Sequence, residues 1–97
     1  VVLAHTRADV NGLVRRTIDV RKLSFAPQDW AVGETGMEYG GITPVGLPDG
    51  WPLLVDTRVI EQPWVLIGSG LRRSKLALPG AALADLPNAQ VLEGLGT

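Results

Sequence analysis

Hydrophobic positions come in short runs along this chain. Val1 to Ala4 is apolar and reads as a buried strand. Asp9 then offers an N-cap for a helix whose apolar positions are Val10, Leu13, Val14 and Ile18, with Arg15 and Arg16 turned outward. From Lys22 to Ala26, Leu23 and Phe25 alternate with Lys22 and Ser24, the period-two pattern of a half-buried strand. Pro27 supplies a first-turn residue for a short helix to about Thr35, and Gly36 suits the left-handed position that ends it. Gly40 to Gly50 packs four glycines and two prolines into eleven residues, a long shaped loop. Trp51 to Val55 and Trp64 to Ile67 read as strands, with Asp56 capping a single helical turn between them. Gly68-Ser69-Gly70 breaks the second of these sharply. Ser74 to Leu78 alternates again, Pro79 opens a small helix through Leu83 and Leu86, and Ala89 to Leu92 closes as a strand. About six strands and three or four short helices, irregularly placed, do not make a repeating βαβ wind. The expected class is α/β in the broad α+β sense: a mixed sheet or partly closed barrel with peripheral helices.

Composition narrows this picture. A length of 97 residues with 45% hydrophobic residues suits one globular domain over 1–97. The opening Val1-Val2-Leu3 has no Met and resembles the inside of a strand, so a further segment is expected upstream. No apolar run approaches the roughly 18 residues of a membrane span and no basic-then-apolar leader is visible, so the expectation is a soluble, cytoplasmic protein without a membrane partner. Nine basic residues against ten acidic ones, a net charge of -1, give no global attraction to nucleic acid. DNA is therefore not an expected partner, and any contact with RNA must be local. The absence of cysteine excludes disulfides, thiolate metal sites and a cysteine nucleophile.

Two glycine-rich loops separated by two strands are the candidate site walls, because loops on a rigid sheet are where binding residues gather. In Gly40-Gly41-Ile42-Thr43-Pro44-Val45-Gly46 the glycines let backbone approach a ligand and turn N–H groups inward, Pro44 stiffens the turn and Thr43 offers a hydroxyl. Composition alone fits an ordinary connecting loop as well. It does not fit a nucleotide-binding P-loop, since no Gly-Lys-Ser/Thr follows. Replacing Gly41 with a bulky residue is expected to cost binding more than stability. Gly68-Ser69-Gly70-Leu71-Arg72-Arg73-Ser74-Lys75 sets three cations and two hydroxyls at a tight turn, a grip for phosphate or ribose or else a solvated hairpin. Arg15, Arg16, Arg21 and Lys22, diluted by Asp9 and Asp19, read as a solvated face. His5 is the single histidine, so no metal site is expected, and no serine sits in a nucleophile elbow. Trp30, Trp51 and Trp64 read as core or rim packing residues.

Phe25-Ala26 before a short helix, Thr35-Gly36, and then Gly40-Gly41-Ile42-Thr43-Pro44-Val45-Gly46-Leu47-Pro48 resemble proteins of the YbaK/EbsC family and the editing insertion of bacterial prolyl-tRNA synthetases. Pro52 to Asp56, Gly68 to Arg72 and Leu76 to Leu86 resemble the family's later strand, its second glycine turn and its closing strand and helix, in the same order. The resemblance spans nearly all of the chain. It implies a mixed sheet curled into a barrel-like core, and hydrolysis of mischarged aminoacyl-tRNA in trans, with alanyl, cysteinyl or related esters as substrates. It implies a pocket for the 3′ end of aminoacyl-tRNA lined by Gly40, Gly41, Ile42, Thr43, Pro44, Gly46, Gly68, Ser69, Gly70 and Arg72, without cofactor or metal, and an aminoacyl-tRNA synthetase as a further partner. Backbone N–H groups would stabilise the charge on the carbonyl oxygen. The family's functional lysine belongs to a strand upstream of what matches Val1, so neither Lys22 nor Lys75 takes its role. Lys75 also stands where many members carry an acidic residue. The alternative is a non-catalytic module that binds tRNA 3′ ends or nucleotides.

Overall fold

Asp9 starts the first helical segment as its position predicts: its carboxylate accepts from the N–H groups of Gly12 at 3.1 Å and Leu13 at 3.0 Å. In the computed structural model, which describes residues 1–97, this segment is a π-type turn over Val10–Val14 that runs into a short helix, α1, Arg15–Thr17. Gly12 permits the close cap, since a Cβ there would lie 2.5 Å from the Asp9 carboxylate. Val10, Leu13, Val14 and Ile18 are half-buried, the apolar face expected of them.

The strand expected over Lys22 to Ala26 does not form. The segment pairs with nothing, and Phe25 is 86% exposed. Alternation prepares two faces for a strand but cannot supply the neighbouring backbone that its N–H and C=O groups need. Pro27 then stands just ahead of α2, Gln28–Thr35, and Gly36 ends it at φ 68°, its N–H donating to Val32 O at 3.0 Å. No residue of α2 is buried. What holds it is Trp30, stacked flat on Trp51 with ring centroids 5.6 Å apart, which pins the helix to the chain leading into the first strand.

That strand, β1, Leu53–Asp56, carries the core on Leu53 and Val55. Its last residue, Asp56, caps the single turn α3, Thr57–Ile60, by accepting from the Arg58 N–H at 3.1 Å. β2, Val65–Gly68, and β3, Lys75–Leu78, form an antiparallel hairpin running from Val65↔Leu78 to Gly68↔Lys75. Pro79 leads into a 3-10 helix, Gly80–Asp85, and β4, Ala89–Leu92, returns parallel to β1 from Leu53↔Ala89 to Asp56↔Leu92. A Cβ at Gly80 would fall 2.1 Å from Val59 O, so glycine is what lets the 3-10 helix lie directly on α3. Leu53, Val55, Val59 and Leu83 form the buried core, ringed by half-buried Leu3, Val65, Ile67, Leu78 and Leu86.

The result is a small mixed α/β domain with sheets and short helices. Its four strands make two separate pairs, β1–β4 and β2–β3, in place of about six in one mixed sheet or partly closed barrel. Val1 to Leu3 is half-buried and Ala4 exposed, and the segment forms no strand element; it touches the open edge of β1 through the Asp56 N–H donating to Val1 O at 3.0 Å. Arg7 and Thr97 exchange two backbone hydrogen bonds, 3.0 and 2.8 Å, which lay the last residues beside Asp56. No helix is long and apolar enough to cross a membrane.

Candidate functional site

The two glycine-rich segments meet. The Glu38 N–H donates to Gly70 O at 2.9 Å and the Gly70 N–H donates to Gly41 O at 2.8 Å, so the chain before β1 is hydrogen-bonded to the turn between β2 and β3. Within the first segment the Gly41 N–H donates to Glu38 O at 2.9 Å, closing a four-residue turn whose third residue, Gly40, has φ 80°. A type II turn requires that positive φ at this place, hence a glycine. The second segment sits so close that a Cβ on Gly41 would lie 2.6 Å from Leu71 C, and one on Gly68 would lie 2.7 Å from Ile42 O. At both positions the missing side chain admits the opposing loop and not a ligand. The expectation that a bulky Gly41 would spare stability fails for this reason.

Gly40 serves the neighbouring side chain as well. A Cβ there would meet Arg72 Cγ at 3.4 Å and Nε at 3.6 Å, so the stem of Arg72 lies along the Gly40 backbone. Gly40, Ile42 and Arg72, with Tyr39, Gln28 and Val32, line an open groove of about 430 Å³. The N–H groups of Gly40 and Ile42 donate to no group of the protein. The Arg72 guanidinium has no carboxylate partner, the one ion pair being Arg58 Nε to Asp56 at 3.5 Å. The backbone N–H of Arg72 donates to Glu38 Oε1 at 3.3 Å, which ties the two loops a further time.

The remaining expected residues have other places. Thr43 is buried beneath the turn, its N–H on the Met37 sulfur at 3.4 Å and its hydroxyl accepting from the Val45 N–H at 3.4 Å. Buried Met37 also comes 3.7 Å from where a Gly70 Cβ would stand, so it is the floor under both loops. The Ser69 hydroxyl is spent inside its own turn, 3.1 Å from Ser74 O and in contact with the Ser74 hydroxyl. Pro44 and Gly46 line a separate, smaller hollow of about 80 Å³ with Trp51 and Asn88. Sequence reasoning missed Glu38, Tyr39 and Met37. Tyr39 and Met37 had a signal of a kind, as the single tyrosine and single methionine of the chain, within three residues of Gly40. No three of the His, Asp and Glu side chains gather where they could hold a metal ion.

Away from the loops stands one perturbed acid, Asp56. Burial alone would raise the Asp56 carboxyl, but the N–H groups of Arg58 and Gly96 and the Arg58 guanidinium outweigh it and hold its pKa below the usual value. Its oxygens accept from Arg58 at 3.1 Å and Gly96 at 3.0 Å, which joins β1, α3 and the last residues of the chain. This carboxylate is structural.

Among solved structures, the hypothetical protein APE2540 superposes with a TM-score of 0.81 at 24% identity, over 96% of this chain and 60% of that one. A protein from work on epitope backbone grafting by computational design, for presentation of linear epitopes on scaffold proteins, gives a TM-score of 0.78 at 26% identity, over 95% of this chain and 57% of that one. The chain thus spans less than two thirds of either structure. No curated protein matches it. Residues 1–86, which contain both glycine segments and the whole groove between them, match the aminoacyl-tRNA editing domain. The chain belongs to the aminoacyl-tRNA editing domain family.

Proposed function

We propose that this domain hydrolyses the ester of mischarged aminoacyl-tRNA in trans, as a cytoplasmic deacylase of the YbaK/EbsC type. The observation that carries the reading is the turn at Gly40–Ile42: it is clamped from behind by the Gly68–Gly70 turn, borders a groove, and keeps two N–H groups free. In this reading the ester carbonyl oxygen lies against the N–H groups of Gly40 and Ile42. Water adds to the carbonyl carbon, and the two donors hold the oxyanion that forms. The bond to the ribose oxygen then breaks, that oxygen takes up a proton, and free amino acid and tRNA leave. Gly41 is not a donor here, because its N–H is already committed to Glu38 O. Gly41, Gly68, Ser69 and Gly70 form the back of the wall, Thr43 supports it from below, and Pro44 and Gly46 continue the chain away from it into the separate hollow beside Trp51. The two strand pairs belong, in this reading, to the barrel-like curled sheet of the family, and a synthetase is the natural partner to deliver the substrate.

The test is release of amino acid from a panel of mischarged tRNAs by the full-length protein, alanyl and cysteinyl esters first. Release above the uncatalysed rate from at least one member supports the proposal. Failure on the whole panel overturns it, and tight binding of the same tRNAs without release would establish the non-catalytic module instead.

A further inference from the structure

The groove holds more than an ester needs. Beyond the Gly40–Ile42 turn it continues along Tyr39 to Arg72, with Val32 as an apolar wall. Tyr39 is 55% exposed and Ile42 44% exposed, and neither the Tyr39 hydroxyl nor the Arg72 guanidinium is engaged by another residue. The volume of about 430 Å³ falls within the roughly 300–1,000 Å³ of clefts that take small ligands. Arg73 follows Arg72 on the same turn and Lys75 opens β3, both exposed and unpaired. Glu38 lies beside Arg72 and Arg73, and its carboxylate accepts from the Arg72 backbone, not from the guanidinium. An exposed aromatic ring beside a free guanidinium is the combination with which proteins hold a single nucleotide of an unpaired strand, the ring under the base and the cation on the phosphate.

We propose that the groove between Tyr39, Ile42 and Arg72 holds the penultimate nucleotide of a single-stranded RNA 3′ end, its base against Tyr39 and Ile42 and its phosphate on Arg72. The inference rests on the deacylase reading for which RNA end enters, but not for the binding itself. The aminoacyl group is a poor occupant for this part of the groove, because its α-ammonium would face the Arg72 guanidinium. The phosphate that links the last two nucleotides has the opposite charge and, with Arg72 laid along Gly40, would reach the guanidinium just as the terminal ribose reaches the turn. Gly40 thereby couples the two subsites: it bears a free N–H and seats the stem of Arg72.

The probe is a short single-stranded ribo-oligonucleotide ending in the CCA of tRNA, without amino acid, so that the outcome does not depend on hydrolysis. Binding to the full-length protein is compared with binding of adenosine monophosphate. The oligonucleotide is expected to bind about tenfold or more tightly. Both Arg72→Ala and Tyr39→Ala should remove most of that margin, and Arg72→Ala should lower the dependence of log Kd on log salt by about 0.7, one phosphate for a single strand. Arg72→Lys should restore the salt dependence. Equal affinity of wild type and both variants overturns the proposal, as does equal affinity for oligonucleotide and mononucleotide. An acidic peptide that binds as tightly as the oligonucleotide and loses the same margin in Tyr39→Ala would also overturn it, in favour of a protein partner. Loss of hydrolysis with this binding pattern intact would count against the deacylase reading alone.

Discussion

Around β1, α3 and the 3-10 helix, side chains leave water: Val55 and Leu83 are 0% exposed and Val59 is 2% exposed. At the paired glycine loops, Met37 and Thr43 are the only buried side chains beyond glycine, and the contact is backbone on backbone, Gly41 against Leu71 and Gly68 against Ile42. The first region is held by burial of apolar surface, which depends on volume. The second is held by hydrogen bonds and by the absence of Cβ atoms, which depends on clearance. The two regions therefore respond differently to the same kind of change. Removing atoms harms the first and adding them harms the second. A wall made in the second way keeps its outward side chains, Ile42, Leu71 and Arg72, free to vary without disturbing what clamps it.

The largest effect expected on this basis is in the core. Leu83→Ala removes a fully buried side chain from the contact between the 3-10 helix, α3 and β1. It should cost about 2–5 kcal/mol, a large share of the stability of a small domain. A denaturation midpoint measures it. A loss under about 1 kcal/mol would mean that the core, with only four buried residues in its main cluster, collapses around the gap and is not volume-sensitive in the way described.

Asp56 sits between the two kinds of region, a buried polar group that works by clearance and hydrogen bonding inside the core. Asp56→Asn keeps the shape but turns an amide N–H₂ toward a backbone N–H of Arg58 or Gly96, where a carboxylate oxygen accepts now. The expected loss is about 2 kcal/mol at neutral pH. Because the folded-state pKa of Asp56 is lowered, the wild type binds the proton less readily folded than unfolded. Its contribution is complete above the unfolded value of about 3.9 and is lost as pH falls through the folded value. The stability gap between wild type and Asp56→Asn should thus be constant near neutrality and narrow below about pH 4. A gap that stays the same into strong acid would show that the carboxylate charge is not what stabilises this junction.

Which of these features the sequence revealed follows the range of the interaction. As caps and helix starts, Asp9, Asp56, Pro27 and Gly36 act on groups within four residues of themselves, and each was readable as such from its neighbours alone, whereas the bond that Asp56 also accepts from the remote Gly96 N–H was not. Ala89 to Leu92 was readable too, since apolar composition and flanking turns mark it. Lys22 to Ala26 has an equally good strand pattern and no strand, because pairing is decided by a distant backbone that the pattern does not contain. The glycines of the site show the same limit. Composition marked Gly40, Gly41, Gly68 and Gly70 as special, but suggested a ligand as the reason, whereas Gly41 and Gly68 face each other's loops. Tyr39 went unnoticed because a lone aromatic residue gains meaning only when Arg72 arrives beside it from a turn remote in the chain.

The smallest expected loss of stability carries the most information about the site. Gly41→Ala adds one carbon, 2.6 Å from Leu71 C and 2.8 Å from the Arg72 N, where backbone and not a flexible side chain must give way. Its φ is not positive, so the cost is one of clearance and should be about 1–2 kcal/mol, borne by the loop pair and not the core. Amide hydrogen exchange separates the two: protection should fall at Gly41 and Gly70, whose N–H groups bond to Glu38 O and Gly41 O, while Val55 and the other residues of β1 keep theirs. Hydrolysis or oligonucleotide binding should fall with the protection of Gly70. If exchange rose equally in β1 and in the loops, the two regions would be one cooperative unit, and the distinction between a volume-held core and a clearance-held wall would not stand.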